Sequence, residues 1–237
     1  MTATAIPAAT PLLDAERLRR PDVLVRHAPF AFLIAQDQLP ADAADALERD
    51  FPRYRSAGFF PWEPDDCGPA INRLIEELTA PAFAEQIGRA LGIEGLGQKP
   101  SLVTICRHLN RRHGTIHTDS RSKIATALLY LNRSWPATSE GCLRFLNRID
   151  DIEDLVVPEV RPVYGNFVVF GRADNSFHGH LPHEGERRVI QVAWLTDESE
   201  KRRKTRRGRF SRWFKRLLGR LDRRFGAGRG PNAAHPR

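Results

Sequence analysis

Cysteine is scarce in this 237-residue chain. Cys67, Cys106 and Cys142 are odd in number and widely spaced, which argues against a disulfide framework and against a cysteine-based zinc site. Long apolar runs are missing too: the longest, around Ala31 to Ala35, is far too short to cross a bilayer. Met1 to Leu13 has no basic stretch leading into an apolar core, so no signal peptide is expected and a reducing cytoplasm is the expected compartment. Acid is nearly absent from one region. Residues 201–237 hold 15 Lys and Arg against the single acid Asp222, whereas the first 200 residues carry 22 basic and 28 acidic groups. A mildly acidic body is therefore joined to a strongly basic tail.

What is present is an ordinary globular composition, 41% hydrophobic and 28% charged, long enough for one large domain with appendages. Residues 1–13 are rich in Ala, Thr and Pro and read as disordered, with a basic helical turn around Glu16 to Arg20. Phe30 to Ile34 reads as a buried strand and Ala41 to Asp50 as a helix, while Gly58 to Pro69 reads as a loop. Ile71, Leu74, Ile75 and Leu78 recur at helical spacing; after Pro81, Phe83, Ile87 and Leu91 do so again. From about residue 100 strands dominate: Ser101 to Cys106, Lys123 to Asn132, Cys142 to Leu146, Phe167 to Phe170 and Val189 to Leu195. Strands without long intervening helices predict an antiparallel sandwich or jelly roll with a helical N-terminal half packed on it, and there is no internal repeat.

Six of the eight histidines lie between His108 and His183. His117-Thr118-Asp119 sets an imidazole and a carboxylate two residues apart, and in extended backbone such side chains share a face. His178, just before the last long strand, adds a second imidazole. Two imidazoles and one carboxylate on one side of an ion form the facial triad of non-haem Fe(II), whose open positions take a cosubstrate and dioxygen. The same three residues alone also fit surface and core histidines that meet by chance.

The surrounding residues resemble the 2-oxoglutarate- and Fe(II)-dependent oxygenases, in their prolyl-4-hydroxylase-like branch. The resemblance runs in register through HTDS (117–120), LLYLNxxW (128–135), EGCLRF (140–145), PxxGNFVVF (162–170), SFHGHxP (176–182) and GERRV (185–189), and spans about residues 28–197. It implies a double-stranded β-helix, with His117, Asp119 and His178 as the iron ligands. It also implies O2 and 2-oxoglutarate as cosubstrates, ascorbate as reductant, and hydroxylation of a C–H bond with release of succinate and carbon dioxide.

In this branch a basic residue ten positions after the distal histidine clamps the far carboxylate of 2-oxoglutarate. That position falls on Arg188, and Arg187 competes with it because the turn varies by one residue. Guanidinium suits the task, binding a carboxylate in two-pronged fashion. Tyr130 matches the tyrosine whose hydroxyl assists the same carboxylate, although a core aromatic in a buried strand fits it equally. The chain departs from the pattern at Gly141-Cys142, where relatives have a glycine pair, and at Arg107-His108, where many have Arg-Tyr. Asp119 is intact, which implies hydroxylation rather than halogenation.

His113 reads first as part of a solvated turn, and His180 shares strand parity with His178, so it is expected to line the cavity or support a ligand. Trp62, Asp65 and Asp66 are candidates for a substrate lid; His183, Arg144 and Asn175 carry no assigned role. In the tail, Lys201 to Arg209 reads as extended. Phe210, Trp213, Phe214, Leu217, Leu218, Leu221 and Phe225 then fall on one face of a basic amphipathic helix. Such a helix suits an anionic membrane surface, here through 201–225, or docks on the acidic body; nucleic acid is the third reading.

The expected organisation is thus α+β and mainly β. It has an N-terminal extension (1–27, partly disordered), an oxygenase domain (28–198, with a jelly-roll core over about 100–197) flanked by N-terminal helices, and a basic amphipathic tail (199–237). The expected partner is a small-molecule, peptide or protein substrate; oligomeric state stays open. One alternative is a cupin-like metal-binding jelly roll that does not use 2-oxoglutarate. The other is a membrane- or nucleic-acid-binding protein with an inactive oxygenase domain, peripheral to the inner face of the membrane.

Overall fold

The structure is a computed structural model, and it describes residues 10–205. The amphipathic pattern from Phe210 to Phe225 lies outside the described residues.

Among the described residues nine strands form two antiparallel sheets. In the large sheet the order is β1 (Leu24–Arg26), β2 (Phe32–Ala35), β7 (Phe167–Gly171), β5 (Lys123–Tyr130), β9 (Gly185–Leu195), β4 (Ser101–Leu109) and β3 (Phe59–Pro61). The small sheet pairs β6 (Arg144–Leu146) with β8 (Phe177–Gly179) and is widened by bridges at His117–His178, Leu143–Val160 and Glu140–Leu181. Three helices, α1 (Ala44–Asp50), α2 (Pro69–Thr79) and α3 (Pro81–Leu91), cover the outer face of the large sheet. This is the jelly-roll core with packed N-terminal helices that the strand-rich pattern predicts.

The apolar runs of β5, β7 and β9 follow from their position, since central strands buried on both faces need no polar alternation. Residues on one face of each strand (Ala127, Leu129, Phe167, Val169, Ile190, Val192, Trp194) pack with Ile71, Leu74 and Leu78 of α2 and Ile87 of α3. Residues on the other face (Leu128, Tyr130, Val168, Phe170, Val189) pack with Leu143 and Phe145 of the small-sheet side. Side chains at i and i+2 share a face, so the sandwich interior is lined from β5 by Thr126, Leu128 and Tyr130, and from β9 by Arg187 and Val189.

Several local expectations change. β1, inside the stretch read as an extension, pairs with β2 through Leu24–Ile34, Val25–Leu33 and Arg26–Phe32. Leu13 and Leu18 just before it are 7% and 6% exposed, so this stretch is built into the core. β3 occupies part of the expected loop because Phe59 and Phe60 pair with Cys106 and Ile105 at the sheet edge, and Pro61 ends the strand. Past Asp197 the chain is helical over 198–205 rather than extended. The Asp197 carboxylate caps the N–H groups of Ser199 and Glu200, while Glu198 and Glu200 pair with Lys201 and Arg203 and relieve the cationic repulsion.

Candidate metal and cosubstrate site

His117, Asp119 and His178 meet at one end of the sandwich, with one donor atom from each within 4.8 Å of the others. Backbone pairing builds this meeting. The His117 N–H donates to the His178 carbonyl at 3.0 Å and the His178 N–H returns the bond at 3.0 Å. The two rings lie side by side, with centroids 4.4 Å apart, and Phe170 covers the His178 ring at 4.4 Å. Asp119 and His178 are buried, while His117 is exposed.

Second contacts prepare each donor. His117 Nδ1 lies 2.8 Å from the Thr115 carbonyl and His178 Nδ1 lies 2.9 Å from the Ser176 carbonyl. A carbonyl can only accept, so both Nδ1 atoms carry the proton and both Nε2 atoms keep a lone pair for a metal. Burial pushes the His178 pKa down to about 4, against the pull of Asp119, so the ring is neutral at ordinary pH. Burial alone would raise the Asp119 pKa. The Lys123 charge, then His178 and the hydrogen bonds from Lys123 and Thr126, outweigh it and hold the carboxyl below its ordinary value. Lys123 Nζ donates to Oδ1 at 2.6 Å and Thr126 Oγ1 donates to Oδ2 at 2.5 Å. A neutral His178 ring, a His117 ring held through Nδ1 and one ionised carboxylate fit a divalent first-row metal.

Along the same inner face stand Tyr130 and Arg187. Arg187 is 3% exposed. Its Nε donates to the Gly141 carbonyl at 2.9 Å, its Nη2 donates to the Tyr130 hydroxyl at 3.2 Å, and its Cζ lies 5.0 Å from the Tyr130 ring centre. Arg188 points the other way. Its guanidinium binds Glu48 of α1 at 2.6 Å and Glu186 at 2.8 Å on the helix side of the sheet. Consecutive strand residues face opposite sides, so only Arg187 has the parity of Tyr130 and Val189 and faces the sandwich interior. The Tyr130 ring is fully buried and its hydroxyl accepts from the Arg187 guanidinium.

The glycines near the site answer to close approach. Gly141 has φ +72°, and a Cβ there would stand 2.8 Å from Trp135, whose ring also stacks on His183 at 4.6 Å. Gly114 has φ +96° and lies directly under the His180 ring, 2.4 Å from Nδ1 to a built Cβ. At the departure from the glycine pair, Cys142 is fully buried beside this turn.

Other candidates sit elsewhere. Trp62 Nε1 donates to Asn72 of α2 and Asp66 accepts from Tyr54, so this segment is anchored to the helices rather than laid over the site. Arg144 is buried, paired with Glu153 and Glu159 on the outer side of the small sheet. Asn175 binds the Pro29 carbonyl. Lys123, Thr126, Asn132 and the Gly141 carbonyl escaped the sequence reading. Thr126 had a visible signal, a lone hydroxyl in the apolar run KIATALLYLN at the parity of Tyr130.

A jelly roll holding a two-histidine, one-carboxylate donor set at one end and a buried arginine on the same inner face belongs to the class of metal-dependent oxygenase folds. Residues 103–196 match the family model described as the 2OG-Fe(II) oxygenase superfamily, and this segment holds His117, Asp119, His178 and both arginines. The matched segment is a 2OG-Fe(II) oxygenase domain. Among solved structures, a Pseudomonas putida prolyl-4-hydroxylase is 21% identical, with a TM-score of 0.50 over 69% of this chain and 91% of that one, and shares the fold. A Trichoplax adhaerens prolyl hydroxylase, solved in complex with a hypoxia inducible factor oxygen degradation domain peptide fragment, is 15% identical with a TM-score of 0.48 over 78% and 88%. No curated protein matches the chain. Among the described residues no helix is long and apolar enough to cross a membrane.

Proposed function

We propose that His117, Asp119 and His178 hold Fe(II), that Arg187 with Tyr130 clamps the distal carboxylate of 2-oxoglutarate, and that the enzyme hydroxylates a C–H bond of an amino-acid, peptide or protein substrate. The observation that carries this reading is the common inner face. Thr126, bonded to Asp119, and Tyr130, bonded to Arg187, both project from β5 into the sandwich.

When bound, Fe(II) with 2-oxoglutarate supplies the activation of dioxygen and the oxidising power for C–H cleavage. The protein's own share is positional. The Thr115 and Ser176 carbonyls fix the imidazole tautomers, and Lys123 and Thr126 hold the Asp119 carboxylate in one rotamer. The Arg187 guanidinium offers charged donors beside the buried apolar cluster that includes Leu128, Val189 and Cys106, where a carboxylate binds more strongly than in water. His117 is exposed while its partners are buried, so the donor set opens to the surface on the His117 side, which suits a substrate arriving from solvent.

The test is succinate formation from 2-oxoglutarate under 18O2 with the full chain, Fe(II) and ascorbate. The reading expects succinate carrying one oxygen-18, lost in His178→Ala. Absence of succinate from the iron-loaded wild type would overturn it, and would favour the cupin-like alternative.

For the basic segment, the helix over 198–205 leads straight into it, and the aromatic and leucine positions from Phe210 to Phe225 share one helical face in the sequence. These support contact with an anionic membrane surface. Binding to phosphatidylserine vesicles by the full chain and not by residues 1–205 is the expected result; equal binding by both would remove the reading.

A further inference from the structure

Two consecutive arginines near the end of a strand pose a register problem. Sliding β9 by one residue would turn Arg188 into the sandwich and Arg187 out, exchanging their faces. On one side the β4–β9 ladder shifts register opposite the arginines, between Cys106–Val189 and His108–Glu186. On the other the β5–β9 ladder ends at Tyr130–Val189, one step short of Arg188 and two short of Arg187.

Beyond that pair a side chain continues the ladder. Asn132 is 7% exposed. Its Oδ1 accepts the Arg188 N–H at 2.7 Å, and its Nδ2 donates to the Pro162 carbonyl at 2.5 Å and, more loosely, to the Arg188 carbonyl at 3.3 Å. The Leu131 N–H also binds the Arg188 carbonyl at 3.1 Å. Both polar groups of the Arg188 backbone are therefore engaged from the β5 side. On the opposite face the Arg188 guanidinium is tied to Glu48 at 2.6 Å and Glu186 at 2.8 Å. Arg133 steadies Glu48 at 3.0 Å, and Arg107 steadies Glu186 at 3.0 Å. A slipped strand would break the amide bonds, bury the wrong guanidinium and strand two carboxylates.

We infer that Arg188 and Asn132 are positioning residues that hold the register of β9 so that Arg187, and not its neighbour, faces the cosubstrate. This rests on the reading of Arg187 as the clamp. Neither residue touches the cosubstrate itself; both act through the backbone beside Arg187, whose guanidinium must meet a carboxylate within a fraction of an ångström.

The experiment is an anaerobic titration of the full chain with 2-oxoglutarate at saturating Fe(II), and with Fe(II) at saturating 2-oxoglutarate, read by the visible charge-transfer absorption. Wild type, Arg187→Ala, Arg188→Met and Asn132→Ala are compared, with a thermal melt of each. Arg188→Met and Asn132→Ala should each raise the 2-oxoglutarate half-saturation about tenfold while leaving the Fe(II) half-saturation within about twofold of wild type. General loosening of the fold would weaken both ligands together. Should Asn132→Ala fail to fold, Arg188→Met decides, since the carboxylates it leaves are half-exposed. Wild-type 2-oxoglutarate affinity in Arg188→Met, or parallel loss of both ligands, would overturn the inference. Unchanged affinity in Arg187→Ala would instead overturn the clamp assignment beneath it.

Discussion

Thr126 and Tyr130 stand four residues apart on the inner face of β5, the first bonded to Asp119 at 2.5 Å and the second to Arg187 at 3.2 Å. One strand thus sets the distance between the proposed metal-binding end of the site and its proposed anion-binding end. Sites on central strands hold geometry better than sites on loops; β7 is buried throughout its contact with β5, and β9 at every paired position except Gln191.

The two arginines should separate cleanly in binding. Arg187→Ala removes a buried guanidinium with charged hydrogen bonds of about 1.5–3 kcal/mol each, so 2-oxoglutarate affinity should fall by about 100-fold. The loss in Arg188→Met should be about tenfold smaller. Isothermal titration with 2-oxoglutarate and Mn(II) in place of iron measures both; a larger loss at Arg188 would return the clamp to that residue.

Thr126→Val keeps the shape of the side chain but removes the donor to Asp119 Oδ2. Loss of such outer contacts costs about tenfold or more in metal affinity. Thr126→Ser should restore most of it, because the hydroxyl alone supplies the bond. An anaerobic Fe(II) titration of the pair distinguishes this from simple repacking, which Ser would not rescue.

Burial pushes the Cys106 thiol up to about 12 and the Cys142 thiol up to about 11. Both should resist iodoacetamide in the native protein at pH 8 and react once unfolded, as peptide mass spectrometry would show. The sign for stability follows. A raised thiol pKa means the folded state keeps its proton longer than the unfolded chain, whose thiols ionise near 8.5. Their contribution is complete below that pH and is lost as pH rises towards 11 and 12. Rapid alkylation at pH 8 would contradict the burial of both.

Leu129 is fully buried at the centre of the large sheet, between β5's neighbours and α2. Leu129→Ala should cost about 2–5 kcal/mol of unfolding free energy, read from urea denaturation. A cost below 1 kcal/mol would mean the helices do not close over this face.

Much of this was legible in the residues. The apolar runs of β5, β7 and β9 announced strands, the spacing of Ile71, Leu74, Ile75 and Leu78 announced a helix, and the HTD and FHG motifs carried the donor set. What stayed hidden was register. Motif spacing counts residues along the chain, and a one-residue uncertainty in the turn before Arg187-Arg188 is a complete reversal of face in a strand. Pairing partners decide it, and those are remote in sequence: Asn132 and Glu48 lie 56 and 140 residues from Arg188. β1 and β3 escaped because such short strands owe their pairing to neighbours rather than to their own pattern. The helix over 198–205 escaped because its cationic run hides the Asp197 cap and the Glu198 and Glu200 pairs that permit it.

The most direct test of the account is anaerobic addition of Fe(II) and then 2-oxoglutarate to the apo-protein, following the visible charge-transfer band, in wild type and in His117→Ala, Asp119→Ala and His178→Ala. The account predicts a band in wild type that is absent from all three variants. A wild type that binds iron without the band, or a variant at any of the three positions that keeps it, would contradict the assignment of this site.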